Sequence, residues 1–251
     1  MAIDRRRGRP VNLKDQVAMV TGAGRGIGRA TALALSSRGA QVVLTSRTQS
    51  ELKDTVAAIA KQTPDARCLI VPGDVSDEAF VTSLFASVVS RFGPVTILVN
   101  NAGTIHLNKV ADISVSDWER TFAVNVRGSF LCARAIFRSP PIPASPRAIV
   151  NISSLGGIRG TEKFPGLAAY VASKFAVVGL TESLAVEGKP LGIRVNCVAP
   201  GAVDTVLLRQ AAPHLRTTTT PDDIAKIVCF LADHEQSGSM TGATIEVHSN
   251  E

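Results

Sequence analysis

Val17-Ala-Met-Val-Thr-Gly22-Ala-Gly24-Arg-Gly26-Ile-Gly28 runs from an apolar stretch into a turn rich in glycine, and then into the alanine-rich segment Arg29 to Ser37. The first five residues read as a buried strand, and the segment after Gly28 has helical spacing. Glycines permit positive φ and let a ligand approach the backbone closely. A helix beginning there offers unpaired N–H groups to an anion. Strand, glycine turn and helix in that order therefore predict a pyrophosphate site. A Walker phosphate loop is excluded, because no Gly-Lys-Ser/Thr follows. The Gly-x-Gly-x-x-Gly fingerprint is also absent, since Arg29 takes the place of its third glycine. The spacing that fits is Thr21-Gly22-x-x-x-Gly26-x-Gly28.

Outward from this turn, short continuous runs of β-branched and apolar residues recur. Val42-Val-Leu44, Val95-Thr-Ile-Leu-Val99 and Ala148-Ile-Val150 are examples. The runs lie near 17–21, 41–45, 68–71, 95–99, 147–153, 193–198 and 243–247, with helical segments between them. Such runs look like parallel strands covered on both faces, and the alternation predicts an α/β, doubly wound sheet of seven strands, mostly parallel. Hydrophobic content of 45% against 19% charged suits a well-filled core. Composition marks no second domain, so residues 12–251 are expected to form one domain behind a basic arm, 1–11.

Tyr170, the chain's only tyrosine, stands four residues before Lys174. Side chains at i and i+4 neighbour each other on a helix. A tyrosine with pKa about 10 shuttles protons poorly at neutral pH, and a nearby ammonium favours its phenolate. The pair suits acid/base work on a carbonyl or alcohol. Taken alone, the same spacing also fits an exposed amphipathic helix.

With these motifs in place the sequence resembles the short-chain dehydrogenase/reductase family over nearly its whole length. Thr21 to Gly28 matches the family's glycine motif and Asp74-Val75 its adenine-side acid. Asn100-Asn101-Ala102-Gly103 matches the motif after the fourth strand, and Asn125 the active-site asparagine. Ile152-Ser153-Ser154 matches the strand end with the catalytic serine, and Pro200-Gly201-x-Val203-x-Thr205 the nicotinamide turn. The resemblance implies a Rossmann fold and a catalytic set of Asn125, Ser154, Tyr170 and Lys174. It implies a cofactor site of Gly22, Arg25, Gly26, Ile27, Gly28, Ser46, Arg47, Asp74, Val75, Asn101, Ala102, Gly103, Tyr170, Lys174, Pro200, Gly201, Val203 and Thr205. In that scheme Tyr170 exchanges a proton with the substrate oxygen, and Lys174 lowers the tyrosine pKa and binds the nicotinamide ribose. Ser154 orients the carbonyl, and Asn125 holds a water linking Lys174 to solvent. A catalytically silent relative would be expected to lack the tyrosine or the lysine, and both are present.

The end of the second strand, Gln41-Val-Val-Leu-Thr-Ser46-Arg47, bears on cofactor choice. Where NAD is preferred, an acidic residue usually stands there for the ribose hydroxyls. Here Ser46 is neutral, and Arg47 with Arg25 can grip a 2′-phosphate, without a facing carboxylate. NADP(H) is expected over NAD(H), although both arginines also suit plain solvation.

Two departures from the family pattern stand out. Ser154 lies 16 residues before Tyr170, a longer gap than usual. The extra residues fall in Gly156 to Gly166, where Thr161-Glu162-Lys163 are expected to form part of a substrate lip. The C-terminal Thr241 to Glu251 lacks an Asp-Gly-Gly ending yet can supply the last strand. The loop from Ala202 to Thr220 is expected to cover the pocket with Val206, Leu207, Leu208 and Leu215. The substrate is a small carbonyl or alcohol whose identity these motifs leave open. His106, His214 and Arg209 fit either a polar substrate contact or exposed loop positions.

No apolar stretch is read as approaching 18 residues, so no membrane span is expected. Arg5-Arg6-Arg7 precedes no apolar region, which does not fit a secretory signal. Cys68, Cys132, Cys197 and Cys229 are scattered among apolar neighbours and read as reduced core residues; no metal site is expected. The cytoplasm is the default compartment. A net charge of +6 and Arg7-Gly-Arg-Pro10, similar to a minor-groove AT-hook core, raise a nucleic-acid partner. Asp4 beside a short match favours a solvated extension. Segments around Leu107–Cys132 and Ala168–Glu187 resemble the long helices through which the family pairs, so a homodimer or homotetramer is expected.

Overall fold

The computed structural model describes residues 12–140, 146–212 and 214–249. The basic arm expected over 1–11 lies outside the described residues. Strands β1 (Val17–Thr21), β2 (Gln41–Thr45), β3 (Cys68–Ile70), β4 (Ile97–Asn100), β5 (Arg147–Ile152), β6 (Ile193–Pro200) and β7 (Thr244–Val247) form one sheet in the order β3-β2-β1-β4-β5-β6-β7. Every neighbouring pair is parallel, so the sheet expected to be mostly parallel is parallel throughout. The helices are α1 (Gly26–Ser36), α2 (Gln49–Gln62), α3 (Glu78–Phe92), α4 (Val115–Phe122), α5 (Gly128–Arg138), α6 (Ala168–Gly188), α7 (Val206–Ala211), α8 (Pro221–Ala232) and the single turn α9 (His234–Ser237).

Alternating strand residues feed two cores. Ala18, Val20, Val42, Leu44, Val99 and Val150 meet Leu52 of α2 and Val228 of α8 on one face. Met19, Val43, Leu98 and Ile149 meet Leu84 of α3, Ile136 of α5 and Leu184 of α6 on the other. Neither face is left for water, which is why the strands read as unbroken apolar runs. Truncating Ile149 or Leu98 to alanine is expected to cost about 2–5 kcal/mol. Beneath the sheet, the buried guanidinium of Arg147 donates to the carbonyls of Ile136, Ser139 and Leu191 at 3.0–3.1 Å. It closes the end of α5 and the turn before β6.

Two readings need correction. Residues 107–132 are not one long helix: an irregular segment precedes α4, and a π-helical turn, Ala123–Arg127, joins α4 to α5. Also, α6 with its following turn, Ala168–Leu191, is long and apolar enough to span a membrane by length and composition. Isolated polar residues hid this run in the sequence. Those polar residues explain its place here: Ser173 is buried against the π-helical turn and Lys174 and Thr181 against β5, and Lys174 faces the site described next.

The strand order reverses between β1 and β4. A crevice opens there at the C-terminal ends of the strands, the usual ligand position in such sheets.

Candidate active site

Gly22 and Gly26 adopt φ of +65° and +53°, conformations that favour glycine. Thr21 pins the turn: its Oγ1 accepts from the backbone N–H groups of Asn101 and Ala102 at 3.0 and 2.9 Å. Asn101 Nδ2 donates back to the carbonyls of Thr21 and Gly22 at 2.9 and 3.2 Å. A Cβ at Gly28 would collide with the Gly22 carbonyl and Asn101 Nδ2, so α1 seats tightly against the turn only with glycine there. The N-terminus of α1 has neither a side-chain cap nor an acidic residue in its first turn. Its N–H groups are left for an anion, and the cradle fits a pyrophosphate.

Beside the turn lies the adenosine end, with Ser46, Arg47, Thr48 and Glu51 on the cleft wall. Arg25 Nη1 is 3.6 Å from Glu51 Oε1, and a Cβ at Gly24 would meet the Glu51 side chain at 2.8 Å. The expectation of two arginines with no facing carboxylate is therefore corrected. Glu51 lies three residues into the sequence after Thr48, and only the packing of α2 brings it beside Arg25. Asp74 lines the same end. Burial alone would raise its carboxyl, but hydrogen bonds from Ser76 and Arg120 outweigh this and hold it at about 2. Arg120 Nη2 donates to Oδ2 at 2.7 Å.

At the end of β5 the two serines part. Ser153 is buried, and its Oγ donates to the Lys174 carbonyl at 2.9 Å. Ser154 lines the cleft with Tyr170, and its Oγ accepts from Gly156 N at 3.1 Å. Lys174 Nζ donates to the Ile152 carbonyl at 2.9 Å and lies 5.6 Å from the Tyr170 ring centre. Burial drives the Lys174 ammonium from 10.5 down to about 8, partly offset by Cys197. Burial also raises the Tyr170 phenol, with the Ser154 hydrogen bond acting the other way. The expected lowering of Tyr170 by Lys174 is thus not what this arrangement gives. Two groups share one desolvated corner, and that effect comes first.

Asn125, 1% exposed, sits in the π turn. Its Nδ2 donates to the Thr104 carbonyl at 3.1 Å and to Ser173 Oγ at 2.9 Å, and its Oδ1 accepts from Thr104 N at 2.8 Å. Ser173 Oγ in turn donates to the Tyr170 carbonyl at 2.7 Å. Sequence reading missed Ser173; its place directly before Lys174 was the available signal.

One cleft of about 940 Å³ joins these ends. Gly22, Arg25, Gly26, Ile27, Ser46, Arg47, Asp74, Val75, Asn101, Ala102, Gly103, Pro200, Gly201, Val203 and Thr205 all line it, as do Ser154, Tyr170 and Lys174. Gly28 and Asn125 are set back behind its wall. Val206, Leu207, Leu208 and Leu215 line its far end, with Thr161, Glu162 and Lys163 of the lip. His214 lines it too, whereas His106 hydrogen-bonds with Thr121 at 3.1 Å and Arg209 pairs with Asp204 at 3.3 Å. Beyond the last strand, Ser249 Oγ accepts from Ala202 N at 2.9 Å and the Val247 carbonyl from Gly201 N at 2.8 Å. These bonds hold the turn after β6 without an Asp-Gly-Gly ending.

The family profile described as short chain dehydrogenase matches residues 16–216. The chain belongs to the short-chain dehydrogenase/reductase family. It is 37% identical over 237 residues to a 3-alpha-(or 20-beta)-hydroxysteroid dehydrogenase of Mycobacterium bovis, covering 92% of this chain and 87% of that protein. It is 35% identical over 244 residues to a 3-oxoacyl-[acyl-carrier-protein] reductase of Synechocystis, covering 94% and 96%. The crystal structure of levodione reductase superposes with a TM-score of 0.87 at 30% identity, covering 94% of this chain and 97% of that one. As a member, the protein is an oxidoreductase of carbonyl and alcohol compounds that works with a nicotinamide cofactor.

Proposed function

We propose that this reductase uses NADP(H) and interconverts a ketone, aldehyde or 3-oxoacyl group with an alcohol, with Tyr170 as acid/base. The observation that carries the reading is that Ser154, Tyr170 and Lys174 line one cleft with the glycine turn. When bound, the nicotinamide cofactor supplies hydride for reduction and accepts it for oxidation.

Gly22, Arg25, Gly26 and Ile27 would hold its phosphates, Asp74 and Val75 its adenine, and Pro200, Gly201, Val203 and Thr205 its nicotinamide. Arg47, with Arg25, would receive a 2′-phosphate; Glu51 reduces the local positive charge without cancelling it. Tyr170 gives its phenolic proton to the substrate oxygen in reduction and recovers it in oxidation. Ser154 donates a hydrogen bond to that oxygen and stabilises the charge developing there. Lys174 supplies an ammonium whose depressed pKa lets it pass protons near neutrality. Asn125 and Ser173 fix the helical turn carrying both residues.

Assembly as a homodimer or homotetramer is part of this reading. Phe130 on α5 and Phe175 and Val186 on α6 are 41%, 40% and 69% exposed, unusual for lone surface helices. Light scattering at micromolar concentration is expected to give a multiple of the 26.3 kDa chain mass; the chain mass itself overturns the assembly. The enzymatic reading is tested by turnover of a carbonyl panel with NADPH and NADH. Cofactor binding without turnover of any carbonyl would contradict it.

A further inference from the structure

The long segment between Ser154 and Tyr170 is folded upon itself by one ammonium. After the turn Leu155–Gly157, the chain reverses at Gly160, whose φ is +84°. Thr161 Oγ1 donates to the carbonyls of Leu155 and Ile158. Lys163 Nζ then donates to the carbonyls of Ile158 at 2.7 Å, Thr161 at 3.0 Å and Leu155 at 3.5 Å. Its ammonium also lies 5.5 Å from the centre of the Phe175 ring on α6. Farther on, the Gly166 carbonyl accepts from Asn108 N at 3.1 Å. Carbonyls from both limbs of the loop thus converge on a single cation, which is a strong hydrogen-bonding arrangement.

Phe164, the residue after this clamp, lines the cleft together with Leu107, Ile105, Val171, Leu207 and Leu208. It also removes a charge from use. Of the ammonium groups lining this end, Lys163 is committed to the lip and Lys174 to Ile152. Glu162 adds a negative charge to the wall, and His248 at the rim lies 3.4 Å from Glu246. An anionic substrate would have to compete with those backbone carbonyls for its cation, whereas a hydrocarbon surface meets an apolar wall at no such cost.

We propose that Lys163 is the positioning residue that holds the lip as a wall of the substrate pocket, and that this pocket takes an uncharged, hydrocarbon-rich ketone or secondary alcohol. The substrate half rests on the carbonyl-reducing reading above. The lip half does not.

The experiment uses the full chain, Lys163→Met and Lys163→Arg. Cleavage after Glu162 by a glutamate-specific protease reads lip order. Steady-state kinetics with NADPH read the pocket, using trans-1-decalone as the uncharged bicyclic ketone and acetoacetyl-CoA as the anionic alternative. In Lys163→Met, cleavage is expected to quicken several-fold and KM for decalone to rise about tenfold, with kcat and KM for NADPH nearly unchanged. Lys163→Arg should stay close to the wild type, and decalone should slow cleavage of the NADPH-saturated wild type. Equal cleavage of Lys163→Met and wild type overturns the clamp. A wild-type kcat/KM higher for acetoacetyl-CoA than for decalone overturns the substrate class. Failure to reduce any carbonyl removes the enzymatic reading instead; lack of protection by decalone then removes the pocket assignment as well.

Discussion

Ser153 Oγ donates to the carbonyl oxygen of Lys174 at 2.9 Å, just beyond the end of β5. That buried hydroxyl is spent on the backbone, whereas its neighbour Ser154 is only half-buried and lines the cleft with Tyr170. Ser154→Ala is therefore expected to cripple kcat while leaving NADPH affinity intact. Ser153→Ala should lose a hydrogen bond of about 0.5–1.5 kcal/mol, seen as lower stability, with kcat changed only a few-fold. Steady-state kinetics with thermal denaturation decide between them. The reverse ranking of kcat would move the catalytic serine to 153.

Tyr170→Phe keeps the ring against its neighbours and removes the exchangeable proton. Loss of a positioned general acid should lower turnover by about a hundredfold or more, with NADPH binding, followed by fluorescence titration, unchanged. Turnover near the wild-type rate would dismiss Tyr170 as the proton donor.

Cofactor selectivity should follow the charges around Arg25. Charge-assisted contacts to a 2′-phosphate are expected to favour NADPH over NADH by at least about tenfold in kcat/KM. Ser46→Asp combined with Arg47→Asn should shrink or invert that ratio. Glu51→Gln should raise it, since Arg25 loses the partner 3.6 Å away and the phosphate loses a facing carboxylate. A ratio insensitive to Glu51→Gln would mean that the pair does not touch cofactor binding.

Lys174 should make the protein less stable than it would be without the charge. Its pKa is about 8 in the fold against an ordinary 10.5. Between those values the unfolded chain binds more protons, so this group's contribution becomes more favourable as pH rises; below about 8 its full cost is present. Lys174→Met removes a penalty on the order of 3 kcal/mol, offset by about 1 kcal/mol for the bond lost to the Ile152 carbonyl. Urea denaturation should show the inactive variant more stable near neutrality, with the advantage fading toward pH about 10. A pH-independent difference would contradict the burial argument.

The strands were legible because both of their faces are buried: continuous apolar runs from Val17, Val42 and Ala148 needed no alternation to be seen. Boundaries slipped where pairing decides them. The run expected from Val95 begins as a strand only at Ile97, while Thr96 spends its hydroxyl on Val17 N at 3.0 Å. Within the site, residues that line the cleft through local motifs were readable, as Gly22 and Pro200 show. What escaped depends on contacts between distant segments. Glu51 reaches Arg25 only through the packing of α2, and Gly28 supports the turn from behind. Ser173 joins Asn125 to Tyr170 across 48 residues of sequence. Spacing alone carries no sign of such meetings.

The π turn Ala123–Arg127 fixes the residue count of the helix that contains it. There the Gly128 N–H reaches back five residues to the Ala123 carbonyl, one farther than in an α-helix. Deleting any one of these residues would allow a regular helix to re-form, but everything beyond would rotate by about 100° relative to α4. Either Asn125 would then leave Thr104, or Leu131, Cys132 and Ile136 would swing off the sheet. The lip can change length at the surface with little consequence for the core; this helix has its phase locked at both ends, and a single-residue deletion there would uncouple catalysis from folding.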